Sequence, residues 1–334
     1  MLSLRKTLLQ FLAIVMFISV AGCGVNETII DSTESDQGEA AGKKEIRVIE
    51  HAMGKTEVKG TPERIVTLYQ GATDAAVALG IKPVGVVESW VEKPMYQYLR
   101  DDLGNTPILG LETQPNLEEI AKLKPDLIIA SKLRHEKVYE QLSQIAPTVT
   151  HQTVFKFKET VELVGQAANK EEDARKLLSD WDNRVADFKE KISTRLGDEW
   201  PIEVAVLNFR ADHARIFVTG FAGDILSELG FIRPESQRKA AEEGNVVLKL
   251  TTKESIPSMN ADVFFIFLPG GENADEATQK TYNEWTNHPL WENLDATKND
   301  RAYMVNDVIW NAGGGLIAAN KMLDQIYEHF GLDK

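Results

Sequence analysis

The chain has 334 residues, a formal net charge of −14 and a single cysteine. Its length suits about two domains. Its acidity argues against a protein that holds nucleic acid by neutralising phosphates over a basic face. One thiol excludes both a disulfide framework and a cysteine-rich zinc site.

Arg5 and Lys6 precede an apolar run from Thr7 to Val20, which ends in Val20-Ala21-Gly22-Cys23. A positive start, an apolar stretch too short for a comfortable span and small residues before a cut predict a secretion signal over residues 1–22. The small-small-Cys ending resembles a bacterial lipobox. That resemblance implies cleavage, lipidation of Cys23 and an anchor on the extracellular face of the cell membrane. Residues 23–44 are polar and acidic, with too little apolar surface to offset their ordering entropy, and are expected to form a flexible tether.

From residue 45 the pattern turns globular. Ile65–Leu68 reads as a strand, Ala72–Leu79 as a helix, Val84–Val87 as a strand, Asn116–Leu123 as a capped helix, and Leu127–Ala130 and Ile145–Val149 as strands. Short apolar strands alternating with helices predict a mostly parallel, covered sheet. The second half repeats this order. Val204–Leu207 is a strand, Asp224–Gly230 parallels Asp74–Gly80, and Glu118/Glu254, Ile120/Ile256 and Asp126/Asp262 keep one offset of 136 residues. Two similar α/β lobes follow, Rossmann-like, at 45–157 and 197–334. Between them, 158–196 lacks Pro, and its second helix, Glu171–Leu196, places Ala174, Leu177, Leu178, Trp181, Val185, Phe188 and Ile192 on one stripe. A continuous helix of that length spans about 39 Å and resists large hinge bending.

There is no Walker A sequence, no G-x-S-x-G elbow and no H-E-x-x-H, and the histidines are scattered singly. What remains lies at the carboxyl ends of strands, where open α/β sheets expose ligand crevices. Trp90 follows one strand and Arg134 another in the first lobe. Phe209, Arg210, His213 and Arg215 follow Val204–Leu207, and Trp310 and Asn311 follow Tyr303–Val305 in the second. Arginines from two facing lobes suit a local anion site, because guanidinium forks match carboxylates bidentately.

Arg64-Ile-Val-Thr-Leu, Gln114-Pro-Asn-Leu-Glu-Glu-Ile-Ala-Lys-Leu-Lys-Pro-Asp-Leu-Ile-Ile, Asn208-Phe-Arg-Ala-Asp-His-Ala-Arg215, Thr219-Gly-Phe-Ala-Gly-Asp224 and Trp310-Asn-Ala-Gly-Gly-Gly together resemble the substrate-binding lipoproteins of iron(III)-siderophore ABC transporters. Phe-Arg-Ala-Asp-His and Ser131-Lys-Leu-Arg134 look like its YfiY-like branch, which takes citrate-based siderophores. The resemblance implies a class III binding-protein fold whose lobes are joined by one rigid helix. It implies an anionic ferric siderophore of citrate-hydroxamate or ferric citrate type, held by Arg134, Arg210 and Arg215. No cofactor and no direct iron ligand are expected, nor any catalysis, and the protein is expected to be a monomer. The implied partners are a dimeric permease and its ATPase. Glu118 and Glu254, placed near helix starts by Asn116 and Thr252, would dock onto the permease. Glu112 departs from relatives that carry an arginine there. Two other readings stay open: a haem or cobalamin carrier, for which His213 or Tyr69 would ligate haem iron, and a surface esterase that cleaves the siderophore.

Overall fold

The computed structural model describes residues 45–334. The predicted signal, Cys23 and the tether lie outside the described residues. Among the described residues, no helix is long and apolar enough to cross a membrane.

After a hairpin of β1 (Ile46–His51) and β2 (Gly54–Lys59) come β3 (Ile65–Thr67), β4 (Gly85–Glu88), β5 (Ile108–Leu111), β6 (Gln114–Pro115), β7 (Leu127–Ser131) and β8 (Thr148–His151). These six form one sheet in the order β6-β5-β4-β3-β7-β8, parallel except at β6. The second lobe holds β9 (Val204–Arg210), β10 (His213–Phe217), β11 (Val247–Leu250), β12 (Val263–Phe267) and β13 (Ala302–Met304), in the order β11-β10-β9-β12-β13. Only β10 runs against the others. This is the class III binding-protein architecture, two α/β lobes joined by a helix.

The repeat seen in the sequence has a physical counterpart. β7 and β12 begin 136 residues apart and are buried throughout. Each is preceded by an aspartate that fastens the neighbouring strand: Asp126 accepts from the Glu63 and Arg64 amides at 2.9 Å each, and Asp262 from the Glu203 amide at 2.7 Å. Where Ile145–Val149 reads as one strand in sequence, the structure ends a helix at Ile145 and starts β8 at Thr148, after Pro147. Proline has no amide hydrogen for a ladder and disfavours helical geometry just before it.

The helix Glu171–Leu196 has the predicted bounds. It stops at Gly197, whose φ of 54° suits a residue without a side chain. Its apolar stripe buries Trp181 edge-on to Phe157, and Phe188 edge-on to Tyr327 of the last helix, Leu316–His329. Arg184 donates to Asp324 and Asn320 at 2.5 Å each, holding the two helices together. One continuous apolar cluster contains Ile65, Leu127 and Ile129 of the first sheet and Val204, Phe265 and Phe267 of the second. The lobes therefore share a core at their base.

The last helix also returns to the first lobe. Asp74, fully buried in the helix Gln70–Ala78, accepts from the amides of Ile317 at 2.8 Å and Ala318 at 3.1 Å and from the Tyr98 hydroxyl at 2.8 Å. A carboxylate at a helix N-terminus satisfies amides that lack intrahelical partners. The run Gly313-Gly314-Gly315 permits this approach. A Cβ on Gly315 would overlap the Asp74 carboxyl, and one on Gly71 would lie 2.7 Å from the Gly314 carbonyl oxygen. Gly315→Ala is expected to lower the unfolding free energy by about 1–3 kcal/mol through this overlap, measured by urea denaturation. Burial raises the Asp74 carboxyl from its usual value to about 6, against the opposing pull of its amide donors. A raised carboxyl pKa stabilises the fold at low pH and loses that contribution as pH climbs from about 4 through about 6. Asp74→Asn should flatten the stability profile across that window in denaturant midpoints taken between pH 4 and pH 7.

Candidate functional site

Between the lobes lies a cavity of about 330 Å³, within the range of small-molecule sites. Its walls come from the carboxyl ends of strands and the loops after them: Trp90 and Glu112 after β4 and β5, Arg134 after β7, Arg210 at the end of β9, and Asp307 and Asn311 after β13. Gln70 and Gly71 at the first helix, with Gly313 and Gly314 opposite, form the floor.

Arg134 sits on a short helical turn whose start is capped by Ser131. Its Nε donates to Glu112 Oε1 at 3.1 Å, and its guanidinium carbon lies 5.7 Å from the centre of the Trp90 ring. Glu112 is only 4% exposed and accepts from the Gln70 amide at 3.2 Å. Burial raises its carboxyl above the usual range, and the Gln70 amide and Arg134 draw it back. The acid that stood out as a departure in the sequence is thus the group that orients Arg134.

On the opposite lobe, the β9–β10 pairing sets Arg210 across from His213 and Asn208 across from Arg215. Residues directly opposite each other, and those two apart along a strand, share a face. Asn208, Arg210, His213 and Arg215 therefore form one polar patch. Arg210 Nε donates to Asn208 Oδ1 at 3.1 Å, and burial with the adjacent Arg215 lowers its pKa. Arg215 Nε donates to His213 Nε2 at 2.9 Å, so the ring proton is on Nδ1, which donates to Asp212 at 2.5 Å. His213 and Arg215 do not line the cavity; they back Arg210 from one strand further out.

Two expected cleft residues belong elsewhere. Phe209 points to the other face of β9 by the same alternation and packs with Tyr282, Trp285 and Trp291 at centroid distances of 5.2–6.1 Å. Trp310 is fully buried against Phe265 at 4.5 Å, its indole nitrogen donating to Gln325 at 2.6 Å. It lies on a π-helical turn, Val308–Ala312, that sends the tryptophan into the core while Asn311 and Ala312 face the cavity. Such turns add a residue and shift the register of everything after them. Both haem-ligand candidates are engaged: Tyr69 is fully buried with its hydroxyl on Thr160, and both His213 nitrogens are bonded.

Sequence reasoning missed Asp307, which is 5% exposed and bonded to the Gly270 amide and Asn311. Burial raises its carboxyl above the usual range. Its position just past β13 was the available signal. It also missed Val154 and Phe155, apolar wall residues that follow β8.

The periplasmic binding protein family model matches residues 65–308, from β3 to the start of the π-helical turn. The chain belongs to the periplasmic binding protein family. This periplasmic binding protein is 48% identical over 266 residues to the achromobactin-binding periplasmic protein of Dickeya dadantii, covering 79% of this chain and 85% of that one. It is 43% identical over 305 residues to the probable siderophore-binding lipoprotein YfiY of Bacillus subtilis, covering 90% and 92%. Among solved structures, Staphylococcus aureus SirA complexed with staphyloferrin B superposes with a TM-score of 0.82 at 51% identity, over 86% of this chain and 99% of that one.

Arg134→Ala is expected to destabilise the fold by about 1–3 kcal/mol, because buried Glu112 loses its charged donor. Adding Glu112→Gln should recover part of the loss. Chemical denaturation of the single and double variants measures both.

Proposed function

We propose that this protein is the receptor of an ABC importer and captures an anionic iron(III)-siderophore, of citrate-hydroxamate or ferric citrate type, between its lobes. One observation carries the reading: Arg134 from one lobe and Arg210 from the other line a single cavity walled by Trp90. A chelate that wraps its iron fully presents outward oxygens with negative charge, so it needs donors and an apolar wall and no protein ligand to the metal. Charge-assisted hydrogen bonds contribute roughly 1.5–3 kcal/mol each. A few of them place affinity in the micromolar to nanomolar range after association costs. The names of the relatives agree with a siderophore as cargo, achromobactin and staphyloferrin B among them.

In this reading the lobes at 45–157 and 197–334, around the helices of 158–196, hold the chelate without catalysis, and lipidated Cys23 keeps the protein on the extracellular face of the cell membrane. Delivery to a permease dimer with its ATPase runs through Glu118 and Glu254. Both are exposed at the second position of a short helix, one per lobe. Asn116 caps the first helix, its Oδ1 accepting from the Glu118 and Glu119 amides. The Thr252 side chain does not cap the second, and the Glu254 pKa is lowered by that residue's own amide and then by Thr252.

Arg210→Ala should weaken binding of ferric staphyloferrin B or ferric citrate at least about tenfold, the loss of one charge-assisted bond. Quenching of tryptophan fluorescence reads this, and Trp90→Phe should remove most of the quench. Unchanged affinity in Arg210→Ala would refute the site. Reversing both Glu118 and Glu254 to Lys should leave that titration intact and abolish iron uptake by cells.

A further inference from the structure

We propose that capture of an anionic chelate in this cleft is coupled to proton uptake, with Glu112 and Asp307 accepting the protons. The inference rests on the functional reading above and concerns how the same cavity tolerates added negative charge. Its walls hold two guanidinium groups, Arg134 and Arg210, and two carboxyls, Glu112 and Asp307, whose formal charges cancel. A chelate with several negative oxygens therefore does not enter a positive pocket. It enters a neutral one in which two enclosed carboxylates face it, each at most 5% exposed.

In a site shielded from water, like charges a few ångströms apart interact far more strongly than in bulk solvent, and the charged form of each acid is disfavoured. Protonating either acid removes its repulsion of the ligand; at Glu112 it also frees Arg134 from its internal ion pair, and at Asp307 it removes a negative charge that the field of Arg210 otherwise offsets. Both carboxyls are raised by burial.

The surroundings leave these acids as the groups that can respond. Around Glu112 stand Arg134 at 3.1 Å, the Gln70 amide at 3.2 Å, the Trp90 indole, and the phenols of Tyr69 and Tyr96, which burial keeps protonated. His135 bonds the Glu112 carbonyl oxygen through Nε2 at 2.8 Å and accepts from the Ser131 amide at Nδ1, which fixes it as the neutral ring; burial lowers its pKa in the same sense. Around Asp307 stand the Gly270 amide at 3.4 Å and Asn311 Nδ2 at 3.3 Å, both long bonds, with Arg210, Tyr96 and Glu92 contributing charge or a phenol. Weak donors hold an ionised carboxylate loosely and yield readily to the protonated form.

Isothermal titration calorimetry of ferric staphyloferrin B, run in phosphate and in Tris at pH 6.5 and 7.5, counts the protons exchanged. The wild-type protein should take up about half a proton to one proton per ligand, with affinity tightening about threefold to tenfold per unit fall in pH. Glu112→Gln/Asp307→Asn should bind with no uptake and a flat pH profile. Each single variant, used should the double variant not fold, should lose a measurable part of the uptake. Equal uptake in wild type and variants would assign the protons to the chelate and overturn the inference, as would binding by wild type without uptake. Absence of any binding heat at either pH would instead remove the ferric-chelate reading, and this inference with it.

Discussion

The cleft depends on one buried contact made far from its mouth. Asp74, in the first helix of the first lobe, accepts the amides that open the last helix of the chain. Because the three residues before that helix are glycines, backbone meets backbone where side chains would otherwise keep the lobes apart. This junction sets Gly313 and Gly314 against Gln70 and Gly71, and so places the π-helical turn with Asn311 and Asp307 opposite Glu112 and Arg134. The shared core and the long helix hold the lobes together, and this contact sets how closely the two walls of the site approach at its floor.

Built on that base, the site is an arrangement of compensated charge rather than a bare positive pocket. Arg134 is aimed by Glu112 and faces Trp90, while Arg210 is supported by Asn208 and followed by Arg215 and His213. Preorganised donors lose little freedom on binding, and their internal partners keep each buried charge from standing alone. A strongly acidic molecule can in this way keep a local anion site without a basic surface.

The sequence made much of this legible because its signals were local. The long helix could be bounded at both ends, since nothing in Glu171–Leu196 breaks it and Gly197 stops it. Arg134, Arg210, Trp90 and Asn311 could be placed at the cavity because residues after the carboxyl ends of parallel strands gather at one edge of the sheet. What failed was direction. Phe209 lies one residue from Arg210, yet strand alternation turns it to the opposite face, and Trp310 lies one residue from Asn311 on a turn whose register departs from an ordinary helix. Glu112 was visible only as an exception to a pattern. Its partner is 22 residues away, and no local periodicity reports a pair that tertiary packing creates.

The shared apolar cluster beneath the cleft carries a consequence for signalling. Side chains from both sheets interlock in it, with the long helix and the last helix pressed together by Arg184, Asp324 and Asn320. A hinge embedded in such packing has little room for a wide jaw movement, because close-packed interiors resist deformation. Filled and empty forms of the molecule would then present nearly the same silhouette, leaving any downstream reader to sense the cargo at the lips of the cleft.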